Sequence, residues 1–381
     1  MTLLARRLGR LSAPAPAAPP PRPPGRAVFA TSTRYAASHR HGAAPLSRAL
    51  AAEPAALAAL AFDPRLAAVD FSGMLLLDTE TTGLSGGAGT LPFLIGLGGF
   101  EPDGALALEQ LFLRRPGEER PLLERLAERM ASASCIVSYN GKAFDWPLLR
   151  GRFVLNRLPV PMPPVHLDLL HCARRVFRHR GGGARLSQLE SDVLGHERED
   201  DVPGALIPEL YFAFLRGGRW EAMHGVLEHN AQDLVGLAAL MGELAHRFAA
   251  PRAGQDPRDW LGCAEVALRV RDFARAEAFA LCAARSNGLA RDPNLRARAW
   301  THVARARWKL GARQEVRDAL LEAAASAVGR ERAALRLALA KVSEHRLRDF
   351  GAALEHAGEA ASAESRDCHD RRVARLQRKL G

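Results

Sequence analysis

The run Met74-Leu-Leu-Leu-Asp-Thr-Glu-Thr-Thr-Gly83 constrains the fold of this chain more than any other stretch. Its apolar start reads as a short buried strand, and the Thr and Gly residues behind it bring that strand to a stop. Alternate residues of a strand point the same way, so Asp78 and Glu80 stand side by side at its end. Two carboxylates placed like this repel each other. A divalent cation relieves the repulsion, and Mg²⁺ or Mn²⁺ prefers hard oxygen ligands of this kind. The two acids therefore lie side by side at a sheet edge, and any further acids have to come from the rest of the chain.

With 381 residues the chain is long enough for two domains, each with its own core. Its 48% hydrophobic and 25% charged residues are ordinary for a soluble globular protein. The net charge of +11 is unevenly spread. Residues 1–70 hold 9 Lys and Arg against 3 acids, residues 71–250 hold 18 against 22, and residues 251–381 hold 26 against 17. The basic excess thus lies outside the segment with the paired acids, an arrangement that suits a polyanionic substrate. Only four of the 53 basic residues are Lys, a bias that codon usage also produces, so charge alone does not decide for nucleic acid.

The five cysteines (135, 172, 263, 282 and 368) contain no C-x-x-C and form an odd set, as expected for buried thiols in a reducing cytoplasm. The uncharged stretch 81–100 holds seven Gly and a Pro, which argues against a membrane helix. No secretory signal is visible. The N-terminus is Arg-rich and acid-poor like a transit peptide, but seven prolines between Pro14 and Pro24 would break an amphipathic helix, so residues 1–26 are read as a disordered tail.

Residues 27–70 form an N-terminal extension with a helix expected at 45–60. From residue 71 onward strands are expected at 74–78, 92–100, 105–113, 135–139 and 165–169. Helices are expected at 118–131, 143–155, 169–178, 186–194, 207–215 and 219–248. The turn Glu101-Pro-Asp-Gly104 makes a hairpin of the second and third strands. The order β-β-β-α-β-α-β-α is that of a mixed sheet with helices packed on it, an α/β domain over 71–250. After Pro251 the chain becomes Ala/Arg/Leu-rich and wholly helical. Asp272, Gly311 and Asp349 mark equivalent turns 39 and 38 residues apart, each followed by an Ala-rich helix. This pattern over 251–381 resembles tetratricopeptide-type helical hairpins; a plain helical bundle is the alternative.

Two later segments offer the missing acids. In Ser138-Tyr-Asn-Gly-Lys-Ala-Phe-Asp145, Asp145 opens a helix just behind a strand, where a carboxylate faces back toward the strand ends. An Asp at that position is also an ordinary cap. Asn140 can hydrogen-bond a phosphate, sugar or backbone group, and Phe144 is expected to wedge beneath the site. In Glu228-His-Asn-Ala-Gln-Asp233, His229 and Asp233 lie four apart and so share one helix face. Such a pair is commonly a surface contact, yet here it brings a carboxylate and a proton acceptor suited to neutral pH.

D-x-E-T-T-G, N-x3-F-D and H-x3-D, in that order, resemble the three motifs of the DnaQ-like DEDD exonuclease superfamily, which has a ribonuclease-H-like fold. A nearer resemblance is to the YprB-type ribonuclease-H-like domain. It is carried by Asp78-Thr-Glu-Thr-Thr-Gly-Leu-Ser-Gly-Gly-Ala-Gly-Thr90, His166-Leu-Asp-Leu-Leu-His171, Leu186-Ser-Gln-Leu-Glu190, Asp200-Asp-Val-Pro-Gly-Ala-Leu-Ile-Pro208 and His229-Asn-Ala-Gln-Asp233. Helical repeats behind such a domain also fit that family.

The resemblance implies a ribonuclease-H-like mixed five-stranded sheet. It implies that Asp78, Glu80, Asp145 and Asp233 hold two Mg²⁺ or Mn²⁺ ions and that His229 orients or deprotonates the attacking water, hydrolysing phosphodiesters of RNA or single-stranded DNA as a 3′–5′ exonuclease. In His-type exonucleases the His lies five residues before the last Asp; here it lies four before, the spacing of the Tyr-type enzymes. Thr79, Thr81, Asn140, Lys142 and Phe144 are the expected substrate contacts, and the repeats are expected to recruit a protein partner or a longer strand. Lys142 is also readable as surface cover, Asp168 as an auxiliary or a structural carboxylate, Gly86, Gly87 and Gly89 as a mobile loop or a plain turn, and Asp200 and Asp201 as solvated loop acids. Two other functions use the same fold: a non-catalytic nucleic-acid-binding or scaffold module, and an endonuclease cutting RNA/DNA hybrids.

Overall fold

The computed structural model describes residues 29–83, 89–162 and 164–381. The tail at 1–26, and Gly86 and Gly87 of the glycine-rich segment, lie outside these residues. The chain divides into two compact units. The first takes in the described residues up to Cys172 together with Gly183–His246; the second comprises Ala173–Gly182 and Arg247–Gly381.

The first unit is built on a mixed six-stranded sheet. Its strands are β1 (Phe29–Tyr35), β4 (Met74–Thr81), β5 (Pro92–Phe100), β6 (Leu106–Phe112), β7 (Cys135–Ser138) and β8 (Val165–Asp168), with β2 (Arg40–His41) and β3 (Ala44–Pro45) forming a separate small hairpin. The order across the sheet is β1-β6-β5-β4-β7-β8. The pairs β1–β6, β6–β5 and β5–β4 are antiparallel, and β4–β7 and β7–β8 are parallel. The sheet thus has one strand more than the five expected. The addition, β1, comes from the N-terminal extension, where the polar sequence Phe-Ala-Thr-Ser-Thr-Arg-Tyr hides a strand at the sheet's edge. It pairs along its whole length with β6.

The helix expected at 45–60 is split into α1 (Ser47–Leu50) and α2 (Pro54–Ala61), because Pro54 opens a new helix at its first turn. Then come α3 (Glu119–Ala131), α4 (Asp145–Leu155), α5 (Leu169–Val176), α6 (Leu186–Leu189), α7 (Ile207–Leu215) and α8 (His224–Ala249). A π-helical turn at Glu190–Leu194 follows α6. The core lies between the sheet and its helices, where Leu75, Leu77, Phe93, Leu126, Ile136 and Tyr211 meet. Tyr211 stacks on Phe93 with ring centroids 4.0 Å apart. Its hydroxyl donates to the Leu113 carbonyl at 2.9 Å, so the buried phenol is satisfied.

The second unit continues with α9 (Pro257–Arg269), α10 (Phe273–Arg285), α11 (Pro293–Leu310), α12 (Arg313–Ser326), α13 (Gly329–Val342), α14 (Phe350–Glu359) and α15 (Arg366–Leu380), each packed on the next in chain order. The turns into α10, α12 and α14 are alike, but their register is one residue off the expected match. The left-handed residues are Arg271, Gly311 and Arg348, with φ of 66°, 86° and 55°. Gly311 therefore corresponds to Arg271 and Arg348, not to Asp272 and Asp349. The two Asp side chains cap α10 and α14 by accepting from the Arg275 and Ala352 amides. Ala312 takes the capping place before α12 and has no side-chain oxygen with which to do it.

Among the described residues no helix is long and apolar enough to cross a membrane.

Candidate metal centre

Helix α8 brings the last motif against the end of β4. Glu80, His229 and Asp233 each present a ligand atom within 4.8 Å of the other two. The His229 Nε2 atom is 3.9 Å from Glu80 Oε1 and 3.7 Å from Asp233 Oδ2. Helical spacing of four residues puts His229 and Asp233 one turn apart on one face, and β4 supplies Glu80 from about 150 residues earlier in the chain. Asp78 and Asp145 stand outside this trio. Asp78 Oδ2 accepts a hydrogen bond from Asn230 Nδ2 at 2.7 Å. Asp145, in the first turn of α4, accepts one from the Thr79 hydroxyl.

Burial sets the electrostatics, and the acids acting on one another reinforce it. Asp78 and Glu80 are held well above the usual carboxylate range, first by desolvation and then by the neighbouring charges, chiefly Asp233 and Asp145 on Asp78, and Asp78 and Asp233 on Glu80. Burial raises Asp233 as well, although Arg198 and His229 pull it back. Burial pushes Asp145 up to about 6 against the opposing Thr79 hydrogen bond. The centre therefore holds more buried negative charge than its basic residues neutralise. Hard carboxylate oxygens with one imidazole suit a divalent cation such as Mg²⁺ or Mn²⁺, so the donor set fits the group it was expected to hold.

A second ring of residues fixes these donors. Arg198 donates through Nη2 to Asp233 Oδ1, through Nε to Glu190 Oε2 at 2.6 Å, and through Nη1 to Asp201 Oδ2 at 3.3 Å. Glu190 is fully buried, and its other oxygen lies 3.0 Å from His41 Nε2. Although burial opposes ionisation, His41 and Arg198 together hold Glu190 below the usual range. Gly236 on α8 makes room for this carboxylate, since a Cβ there would strike Glu190 Oε1. Asp201 Oδ1 lies 2.7 Å from His229 Nδ1. A carboxylate accepts, so Nδ1 carries the hydrogen and Nε2 is turned toward Glu80 and Asp233.

Asn230 is anchored in turn. Its Oδ1 accepts from Gln110 Nε2 at 2.9 Å, and Gln110 also donates to the Leu227 carbonyl at 2.8 Å. Thr31 Oγ1 donates to Gln110 Oε1 at 3.3 Å. Asp78, Gly96, Gln110 and Thr31 are register partners across β4, β5, β6 and β1. One polar row thus crosses four strands, with Asn230 bridging over Gly96. A cleft of about 350 Å³ opens beside the trio, lined by Leu186, Ser187, Val202 and Pro203 as well as Arg198, Asp201, His229 and Asp233.

The remaining expected residues fall as follows. The Thr79 hydroxyl is occupied by Asp145, and that of Thr81 donates to the Gly83 carbonyl at 2.9 Å, so both bind protein groups where substrate contacts were expected. Phe144 is 57% exposed and does not wedge beneath the site as expected. Lys142 is exposed. Asp168 accepts from the amides of Asn140, Lys142 and Leu170, which makes it the clasp of the turn between β7 and α4. Asn140 sits in that turn with φ of 65°.

Sequence reading missed Arg198, His41, Gln110 and the pairing of Asp201 with His229, and gave Glu190 a place in a motif without a role. Asp201 was expected as a solvated loop acid; its place in the loop ending at Pro203 concealed a carboxylate bonded to the imidazole. Asn230 stood inside a quoted motif without a role. Its position directly after His229 was the available signal.

Residues 75–245 match the family described as RNase_H superfamily. Over 171 residues the chain is 40% identical to the uncharacterized protein YprB of Bacillus subtilis (strain 168), a stretch covering 44% of this chain and 41% of that protein. The chain thus aligns with about two fifths of this relative's length. With its mixed sheet, its helix order and this match, the stretch 75–245 is a ribonuclease-H-like domain of the RNase_H superfamily.

Proposed function

We propose that this protein is a metal-dependent nuclease that hydrolyses phosphodiester bonds of DNA or RNA, acting as a 3′–5′ exonuclease. The observation that carries the reading is the meeting of Glu80 with His229 and Asp233, residues far apart in sequence, in a pocket already overloaded with carboxylates. Membership of the RNase_H superfamily supports nuclease-type hydrolysis.

In this reading Glu80 and Asp233 hold divalent ions, with Asp78 and Asp145 completing the carboxylate set. Such ions, when bound, polarise the phosphate and make water a nucleophile near neutral pH. His229 receives a proton at Nε2 while Asp201 keeps the ring oriented through Nδ1. Asn230 steadies the Asp78 carboxylate, and Arg198 fixes the rotamer of Asp233. The adjoining cleft receives the strand end.

The test uses the full chain with end-labelled single-stranded RNA, single-stranded DNA and a hybrid, with and without Mn²⁺. Asp78→Ala and Asp233→Ala are expected to abolish Mn²⁺-dependent degradation while the circular dichroism spectrum stays folded. Undiminished cleavage by both variants would overturn the reading. Cleavage of circular or end-blocked strands would replace the exonuclease with an endonuclease.

A further inference from the structure

The second unit has a cleft that the proposed chemistry does not use. It measures about 640 Å³ and is formed by α9 through α13. Leu268, Phe273, Val316, Leu320, Leu335 and Val342 give it an apolar lining. Arg271, Arg305 and Lys309 also line it, and no acidic residue does. None of these three bases makes an ion pair among the described residues. Trp308 stands at the same cleft, 41% exposed, with the Arg346 guanidinium 4.9 Å from its ring centroid. The cleft is of ligand-pocket size, and truly buried neighbours such as Val303 and Ala306 show that α11 has a packed core of its own behind it.

We infer that this cleft docks an acidic amphipathic helix of a protein partner. Large apolar side chains fit the lining, and acidic side chains on the same helix meet the bases at the rim. Charge decides between this occupant and the chain's own N-terminus: residues 1–28 carry five Arg and no acid, and so share the sign of the rim. The lining also disfavours a nucleic acid strand. Apart from the three basic residues, which would meet phosphates as readily as carboxylates, the lining offers base edges little: the Thr301 hydroxyl is bonded to the Ala297 carbonyl at 2.8 Å. Stacking needs open aromatic faces, and the Trp308 ring already carries Arg346 on one of them.

The experiment is selection from a displayed random-peptide library on the full-length protein, followed by fluorescence anisotropy of the enriched peptides. Enriched sequences are expected to carry Leu or Phe at helical spacing with Asp or Glu between them. The double variant Arg305→Glu/Lys309→Glu, both of whose sites lie on the exposed rim, is expected to weaken their binding roughly tenfold or more. Its Mn²⁺-dependent cleavage of a short oligonucleotide is expected to stay unchanged, so failure here is distinguishable from failure of the nuclease reading. The proposal is overturned if no enriched peptide loses affinity for the double variant. It is equally overturned if a single-stranded oligonucleotide displaces the peptides from the cleft. Sedimentation showing a self-associated species that the double variant dissolves would assign the cleft to a second copy of the chain instead.

Discussion

Asn230 lies so close over Gly96 that a Cβ at residue 96 would collide with its Oδ1 atom, while its Nδ2 donates to Asp78 at 2.7 Å. The strand residue opposite Asp78 is thus bare so that a helix side chain can reach the carboxylate. Gly96→Ala is expected to displace Asn230, at a cost of about 1–3 kcal/mol for overpacking, and to lower Mn²⁺-dependent cleavage at the same time. Thermal melts and initial rates on one preparation check it; wild-type rates together with a lowered melting temperature would detach Asn230 from the activity.

Asp201 orients His229 through Nδ1, and its charge also helps hold Glu80 above the usual carboxylate range. Asp201→Asn is expected to reduce the turnover number about 10- to 100-fold, as loss of an outer partner of a site histidine does. Mn²⁺ affinity measured by calorimetry should change less than turnover. An unchanged turnover number would return Asp201 to the role of a loop acid.

Arg198 and Glu190 form a pair in which the carboxylate has no access to water. Arg198→Met leaves that carboxylate with His41 as its remaining partner, and a loss of about 3–5 kcal/mol is expected in denaturant unfolding. Adding Glu190→Met to the same chain should return the part of that loss due to the pair, while the missing Arg198 bonds to Asp233 and Asp201 remain a cost. Equal destabilisation of single and double variants would contradict the pairing argument.

Burial, helped by the Lys142 charge, holds the His166 ring near pKa 4, against about 6.5 for a free imidazole. The unfolded chain therefore takes up this proton first as pH falls, and the stability that the neutral ring provides is lost between pH 6.5 and 4. Asp145, raised to about 6, works the other way, because the folded state binds its proton first. Comparing wild type with His166→Gln cancels the carboxylate contribution. From pH 7 to pH 4 the wild type should lose on the order of 3 kcal/mol relative to the variant; a constant difference across that range would refute the assignment.

Mn²⁺ or Mg²⁺ at 100 times its dissociation constant should stabilise the folded chain by about 2.7 kcal/mol, read as a rise in melting temperature that a chelator reverses. Glu80→Gln and Asp233→Asn should abolish the rise. A rise that survives both substitutions would place the bound ion elsewhere.

The strands and helices that frame the site were legible because their patterns are local. Met74–Leu77 is a plain apolar run, and α8 repeats its apolar face over seven turns. The D-x-E pair was legible for the same reason, since two-residue alternation needs no knowledge of the fold. The supports were not. Arg198 meets Asp233 across 35 residues, and Asn230 meets Asp78 across 152, contacts that only tertiary packing creates. Strand β1 escaped because it lies at an edge, where burial asks little of its polar sequence. The displaced turn register at Gly311 arose because Gly and Arg fill the same left-handed position, which side-chain chemistry alone does not reveal.

The polar row from Asp78 to Thr31 and the pairing of His41 with Glu190 both begin before residue 75, where the family match starts. The smallest autonomous piece of the first unit is therefore larger than its recognisable homology. A fragment trimmed to residues 75–245 would bare the backbone edge of β6 and take the Thr31 hydroxyl from Gln110 and the His41 ring from Glu190, whereas one beginning at residue 29 would keep all three intact.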